Sequence, residues 1–161
     1  MRAAIVEDKR KIAIREVPDP IPDDDEVLIR VRYCGICGSD LHVYEEGADI
    51  STGHEFSGDI VEVGSGVKEW MVGDRVTVEP RPGCGKCFWC LRGETGLCEQ
   101  FYVRLLEYMG AFANLTKVKA CQLHRIPSEL SYEQAAIIEP AACVEGYFVN
   151  CGFISLWIGV A

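Results

Sequence analysis

Cations are scarce in this chain of 161 residues: Lys and Arg total 16 against 25 Asp and Glu, a formal net charge of −9 with neutral histidines. A surface that acidic repels phosphate backbones and anionic headgroups, so neither nucleic acid nor membrane is an expected partner. Long apolar runs are missing too. None reaches the roughly 18 residues needed to cross a bilayer, and the N-terminal stretch Met1-Arg2-Ala3-Ala4-Ile5-Val6-Glu7-Asp8-Lys9 lacks the apolar centre of a signal peptide. The expectation is a soluble, cytoplasmic protein. There are no internal repeats and no linker-like stretch, and 48% hydrophobic with 25% charged residues excludes a disordered chain. Histidine is rare, with three residues, whereas cysteine is abundant, with nine. In a reducing compartment that imbalance points to metal or redox chemistry before disulfides.

Strand signals dominate the first half. Val27, Ile29, Val31 and Tyr33 alternate with Leu28, Arg30 and Arg32, the period of a half-buried strand. Ile12 to Val17, Phe56 to Val63, Arg75 to Val78 and Val118 to Leu123 are further strand candidates, separated by glycine turns. The proline-rich, acidic segment from Pro18 to Asp25 reads as a solvated surface loop. Many short strands predict a mainly β barrel or sandwich. Helix comes late. Ser131 and Gln134 have the spacing of a capping box ahead of a helix through Ile138, which Pro140 should end by disfavouring helical backbone at Glu139. A second helical stretch runs from Ala141 to about Asn150, and Phe153 to Ile158 reads as a last strand.

Cys84, Cys87, Cys90 and Cys98 follow one another at intervals of two, two and seven residues. Four thiolates close a tetrahedral shell around zinc, with sulfur about 2.3 Å from the metal and no open position, which is a structural staple. A ferredoxin-type cluster begins with the same three cysteines but places its fourth after three residues and before a proline. Here the fourth comes after seven and precedes Glu99. Disulfides and unligated thiols are the remaining alternatives.

A second group of chemical residues lies in Tyr33-Cys34-Gly35-Ile36-Cys37-Gly38-Ser39-Asp40-Leu41-His42 and Gly53-His54-Glu55. Cys37 and His54 are zinc-type donors, and Glu55 or a more distant carboxylate is the third candidate; three protein ligands leave a position for substrate. Asp40 is placed to orient ligands from behind. Cys34 and Cys37 also have redox-dithiol spacing, but no thioredoxin-like βαβ pattern surrounds them. His124 reads as an ordinary histidine, and Cys121, Cys143 and Cys151 as buried thiols.

These segments, with Val61 to Val67, Val72 to Val76, Gly110-Ala111-Phe112-Ala113 and Ile138-Glu139-Pro140, resemble the zinc-dependent medium-chain dehydrogenases of the alcohol, polyol and threonine group. The resemblance spans residues 1–150 and implies a GroES-like barrel carrying two zincs. It implies Cys37, His54 and either Glu55 or Glu139 at a catalytic zinc, the four-cysteine loop at a structural zinc, and Ser39 and His42 as a proton relay. The implied reaction is hydride transfer from a small alcohol or polyol to NAD or NADP. The nicotinamide cofactor enters only if a Rossmann domain is supplied, because no Gly-x-Gly-x-x-Gly occurs here. Residues 151–161 look like the start of that domain, and complete members are about twice as long. The expectation is therefore a catalytic domain inactive by itself, the alternative being a non-enzymatic zinc-binding interaction module or remnant. An uncovered apolar face around Glu139 to Trp157 would favour association with a partner or a second copy. The segment between His42 and His54 is shorter than the family usually shows, so substrate specificity does not carry over.

Overall fold

The computed structural model describes residues 1–80, 83–100 and 110–150, the last six through their backbone alone. The expected strand at 153–158, the thiol of Cys151, and the division of the chain into 1–150 and 151–161 turn on residues outside these.

Among the described residues, seven strands carry the fold: β1 (Arg2–Asp8), β2 (Lys11–Glu16), β3 (Glu26–Cys34), β4 (Phe56–Val63), β5 (Arg75–Val78), β6 (Leu115–Lys119) and β7 (Leu123–Arg125). Three helices join them: α1 (Gly38–Glu46), α2 (Tyr132–Ala136) and α3 (Ile138–Asn150). Strands β1 and β2 form a hairpin, and the other five form an antiparallel sheet in the order β6-β3-β4-β5-β7. Isolated bridges Ala3–Ala113 and Val6–Ile50 tie the hairpin to the rest. The fold is mainly β with short helices, as the motifs imply.

β3 lies inside the sheet, between β6 and β4, where its alternating Val27, Ile29 and Val31 suit a pleated, packed surface. Val27, Ile29, Ile60, Val76 and Val118 are at most 1% exposed and share one core with Phe56, Val78 and Leu123. Two register shifts interrupt the β3–β4 ladder, at Leu28/Ile29 and at Val31/Tyr33. Such irregularities bend a strand and re-aim its side chains. The second lies just before Cys34, where the chain leaves the sheet for the functional segment.

Four local expectations change. Val118 to Leu123 is not one strand: β6 ends at Lys119, a 3₁₀ turn covers Ala120–Gln122, and β7 begins at Leu123. The side-chain carbonyl of Gln122 accepts from the Lys119 amide at 3.0 Å and its amide nitrogen donates to the Glu79 carbonyl at 2.9 Å, holding that turn. Glu139 and Pro140 are both helical: the break falls at Ile137, and Pro140 is the third residue of α3, where an amide has no intrahelical partner to lose. The acidic loop is paired rather than merely solvated. Lys117 bridges buried Glu26 at 2.7 Å and Asp23 at 3.0 Å, and Lys119 bridges Asp25. Finally, Cys121 and Cys143 are exposed, since the turn and α3 point them outward.

The capping box at α2 is present, with Gln134 N–H donating to Ser131 Oγ at 3.3 Å and Ser131 N–H to Gln134 Oε1 at 2.9 Å. Ser131→Ala should cost about 1 kcal/mol, a fall of about 2–4 °C in a thermal melt; an unchanged midpoint would mean the cap is dispensable. The same helix is fastened to the sheet by Tyr132, whose hydroxyl donates to Asp59, while Ser57 Oγ donates to the Tyr132 carbonyl at 2.7 Å. Burial raises the Asp59 pKa, but hydrogen bonds from Tyr132 and Arg32 outweigh it and hold the carboxyl below its ordinary range. A carboxyl depressed in the folded state stabilises above its unfolded pKa near 4 and loses that contribution as pH falls through the folded value. Asp59→Asn should therefore flatten the acid limb of a stability–pH curve; an acid limb as steep as that of the parent chain would rule Asp59 out as its source.

Candidate metal centres

The loop from residue 83 to 100 has little core of its own. Cys98 is its buried thiol, while Phe88, Leu91 and Leu97 are exposed. Two 3₁₀ turns, Cys90–Arg92 and Thr95–Leu97, and contacts to sulfur order it. The ligand sulfurs of Cys84, Cys87, Cys90 and Cys98 all lie within 4.8 Å of one another, and Cys84 and Cys90 are 3.9 Å apart. Backbone amides of Cys84, Cys87, Cys90 and Gln100 donate to these sulfurs at 3.3–3.5 Å. Amides from Cys90 and Glu99 pull the Cys87 thiol down to about 6, whereas burial pushes the Cys90 thiol up to about 12. Donors aimed at sulfur stabilise thiolates, and four packed thiolates call for a cation.

The second centre forms where β3 passes into α1 and meets the segment entering β4. Cys37 precedes the first residue of α1, and the carboxylate of Asp40 in the first turn accepts from the Cys37 amide at 2.8 Å. The other Asp40 oxygen accepts from Gly53 N–H at 3.3 Å. One buried carboxylate, 5% exposed, thus pins both donor segments. Cys37, His54 and Glu55 each present a donor atom within 4.8 Å of the others. Their sequence separation of up to eighteen residues is bridged by pairing of Cys34 with Phe56 and by Gly35 N–H donating to the Glu55 carbonyl at 2.7 Å. Gly35 is the residue that composition and motif did not single out: a Cβ there would collide with Glu55 Oε2.

The His54 ring is 8% exposed, and its Nδ1 has no hydrogen-bond partner; Asp40 Oδ1 is 3.9 Å away. Glu139 is not grouped with this trio. Its Oε1 accepts from Cys143 Sγ at 3.4 Å, one helical turn on. Ser39 and His42 are exposed on α1, three residues apart and therefore on neighbouring turns of one face. Cys34 stands beside the trio but is no part of it. Burial, then the charges of Asp40 and Glu55, push its thiol up to about 12. His124 is exposed, with Nε2 3.7 Å from a Glu79 oxygen, and belongs to neither group.

A groove of about 370 Å³ runs between the hairpin and the segment 111–114, lined by Ala4, Ile14, Val31, Cys34 and Phe112 among others. It adjoins the second centre through Cys34. No helix among the described residues is long and apolar enough to cross a membrane.

Known proteins resemble this chain in sequence and fold. The alcohol dehydrogenase GroES-like domain matches residues 23–128. The sorbitol dehydrogenase of Bacillus subtilis is 42% identical over 149 residues, covering 87% of this chain and 42% of the relative. The crystal structure of 2R,3R-butanediol dehydrogenase from the same species is 38% identical with a TM-score of 0.75, covering 88% of this chain and 44% of that one. An alcohol dehydrogenase of Escherichia coli CFT073, solved with NADH, is 36% identical with a TM-score of 0.80, covering 91% and 45%. The chain spans less than half the length of each of these relatives. The ligand motifs, the β architecture that converges them and these likenesses agree, and the chain belongs to the zinc-dependent medium-chain dehydrogenase family, corresponding to its alcohol dehydrogenase GroES-like domain.

Proposed function

We propose that this chain is the zinc-binding catalytic domain of an NAD(P)-dependent alcohol or polyol dehydrogenase. The observation that carries the reading is the convergence of Cys37, His54 and Glu55, one donor atom of each lying within 4.8 Å of the others, with the buried His54 Nδ1 left without a partner. Burying a polar atom unsatisfied costs about 1–3 kcal/mol. A ring that gives one nitrogen to a cation and turns the other toward Asp40 removes that cost. Thiol, imidazole and carboxylate together suit zinc, and three protein donors leave room for a substrate oxygen. The four thiols of the loop fit a second, closed zinc.

When bound at the open centre, zinc supplies Lewis-acid polarisation of an alcohol oxygen. The protein's part is placement and proton handling. Asp40 holds Cys37 and His54 in register through the two amides it accepts from. Ser39 Oγ takes the hydroxyl proton of the substrate and passes it toward the His42 imidazole, a ring that can both accept and release a proton. The hydride acceptor is a nicotinamide held by a second domain. Polyol substrates are favoured by the relatives, which are named for sorbitol and butanediol.

Two measurements test this. Elemental analysis of the purified chain should find about two zincs, falling to about one in His54→Ala. The isolated chain, given NAD or NADP with sorbitol or butanediol, should show no turnover, because no dinucleotide fingerprint is encoded. Robust turnover by the chain alone would overturn the second expectation, and a single zinc in the parent chain the first. Exposed Ile137 and Val144, at 61% and 55%, favour a second reading in which this face binds a partner. A monomer by light scattering that binds no apolar dye would count against it.

A further inference from the structure

The Cys34-Gly35-Ile36-Cys37 segment has a placement that its sequence did not reveal. Cys34 is the last residue of β3, and Cys37 immediately precedes α1. A Cys-x-x-Cys pair leading from a strand into a helix is the local arrangement of dithiol redox pairs. Both thiols are free and neither is fully buried. Cys37 is one of the three donors of the open centre, and Cys34 is not. Cys34 instead sits under the segment that delivers the other two. Its Sγ donates to the Gly35 carbonyl at 3.4 Å and would stand 3.0 Å from a Cβ placed on Gly53, the neighbour of His54. Of the two residues between the cysteines, Gly35 has no side chain and bonds the Glu55 carbonyl through its amide, and Ile36 is 72% exposed.

We propose that Cys34 and Cys37 form a reversible disulfide that competes with metal for Cys37, a thiol-oxidation site at the open centre. The proposal rests on the reading of Cys37 as a metal ligand. The oxidant is a low-molecular-weight disulfide such as glutathione disulfide. The Cys37 sulfur attacks one glutathione sulfur, its S–S bond breaks, and one glutathione leaves as thiol. The Cys34 sulfur then attacks the Cys37 sulfur of the mixed disulfide and the second glutathione leaves. Two protein thiols are oxidised to one disulfide, one glutathione disulfide is reduced to two glutathiones, and the two thiol protons end on them. A metal on Cys37 Sγ blocks the first attack.

The chain offers a clean readout. Between Arg32 and Lys68 there is no other lysine or arginine, so the tryptic peptide 33–68 contains Cys34 and Cys37 and no further cysteine. The zinc-loaded chain is incubated in glutathione redox buffers, with and without a chelator, and this peptide is weighed after trapping free thiols. With chelator, the peptide should become two hydrogens lighter and return on reduction; without it, the change should be at least about tenfold slower. In Cys34→Ser the peptide should stop at a single glutathione adduct, with Cys34→Ala and a thermal melt confirming that folding is retained. The folded chain should also form the bond at about tenfold less glutathione disulfide than the same chain in urea. A peptide that stays reduced or stops at the adduct in the parent chain overturns the proposal, as does equal formation in urea. If the disulfide forms as fast with zinc present, the dithiol stands and the metal role of Cys37 falls.

Discussion

Cys87→Ser is expected to remove one zinc of about two and to dissolve the order of the loop from residue 83 to 100. The reason is how little else holds it. Apart from Cys98, its larger apolar side chains are exposed, so burial cannot replace the metal. Apparent binding energies of structural zinc run to about 10–16 kcal/mol, and in so small a lobe that energy is folding energy. Cys87 is also the sulfur that backbone amides from Cys90 and Glu99 favour most strongly as thiolate. Serine keeps the size and forfeits the donor. Hydrogen exchange should show protection lost at the amides of Cys84, Cys87, Cys90 and Gln100, which now donate to sulfur. The β core should keep its protection, because its residues lie elsewhere in the sheet. An unchanged zinc content with intact protection would remove the structural site from the account.

Phe56→Ala should act through the opposite part of the molecule. Phe56 is 2% exposed, begins β4 and packs in the main core. Truncating a buried phenylalanine costs about 3–5 kcal/mol, against a total stability of about 5–15 kcal/mol. At about 2–4 °C per kcal/mol the melting point falls by about 6–20 °C. The effect reaches the chemistry because Phe56 follows Glu55 directly and pairs with Cys34 across the ladder. Zinc should be lost first from the open centre while the four-cysteine loop retains its own, since those ligands all come from one short segment. A loss of stability below about 1 kcal/mol would show that the core rearranges to fill the gap.

Much of this could be read before any fold was known, and the limits have physical causes. β4 and β5 match their expected spans, because β-branched residues bounded by glycine turns leave one assignment open. The Ser131–Gln134 box was legible because capping is settled within four residues. α1 was not legible: its exposed Leu41 and His42 and its buried Asp40 invert the pattern of an amphipathic helix. It is held by the Asp40 carboxylate bonding back to Cys37, a contact between polar groups that hydrophobic periodicity does not register. Missing α1 also hid the strand-to-helix setting of Cys34 and Cys37. The ion pairs of the acidic loop were not legible for a related reason. Its partners, Lys117 and Lys119, lie more than ninety residues away and reach it only through the pairing of β3 with β6.

The abundance of cysteine with little histidine was enough to point to metal chemistry. The spacing of Cys84, Cys87, Cys90 and Cys98 was enough to mark them as one candidate group, because fifteen consecutive residues can bring four thiols together without help from the rest of the chain. The open centre is different in kind. Its candidate carboxylates, Glu55 and Glu139, are equal as residues, and only the tertiary structure groups one of them with Cys37 and His54. That choice depends on the β3–β4 register, on the two amides that Asp40 gathers, and on a glycine at 35 that leaves space for the Glu55 carboxylate. Contacts between distant segments are made by packing and register, and the order of residues along a chain does not display either.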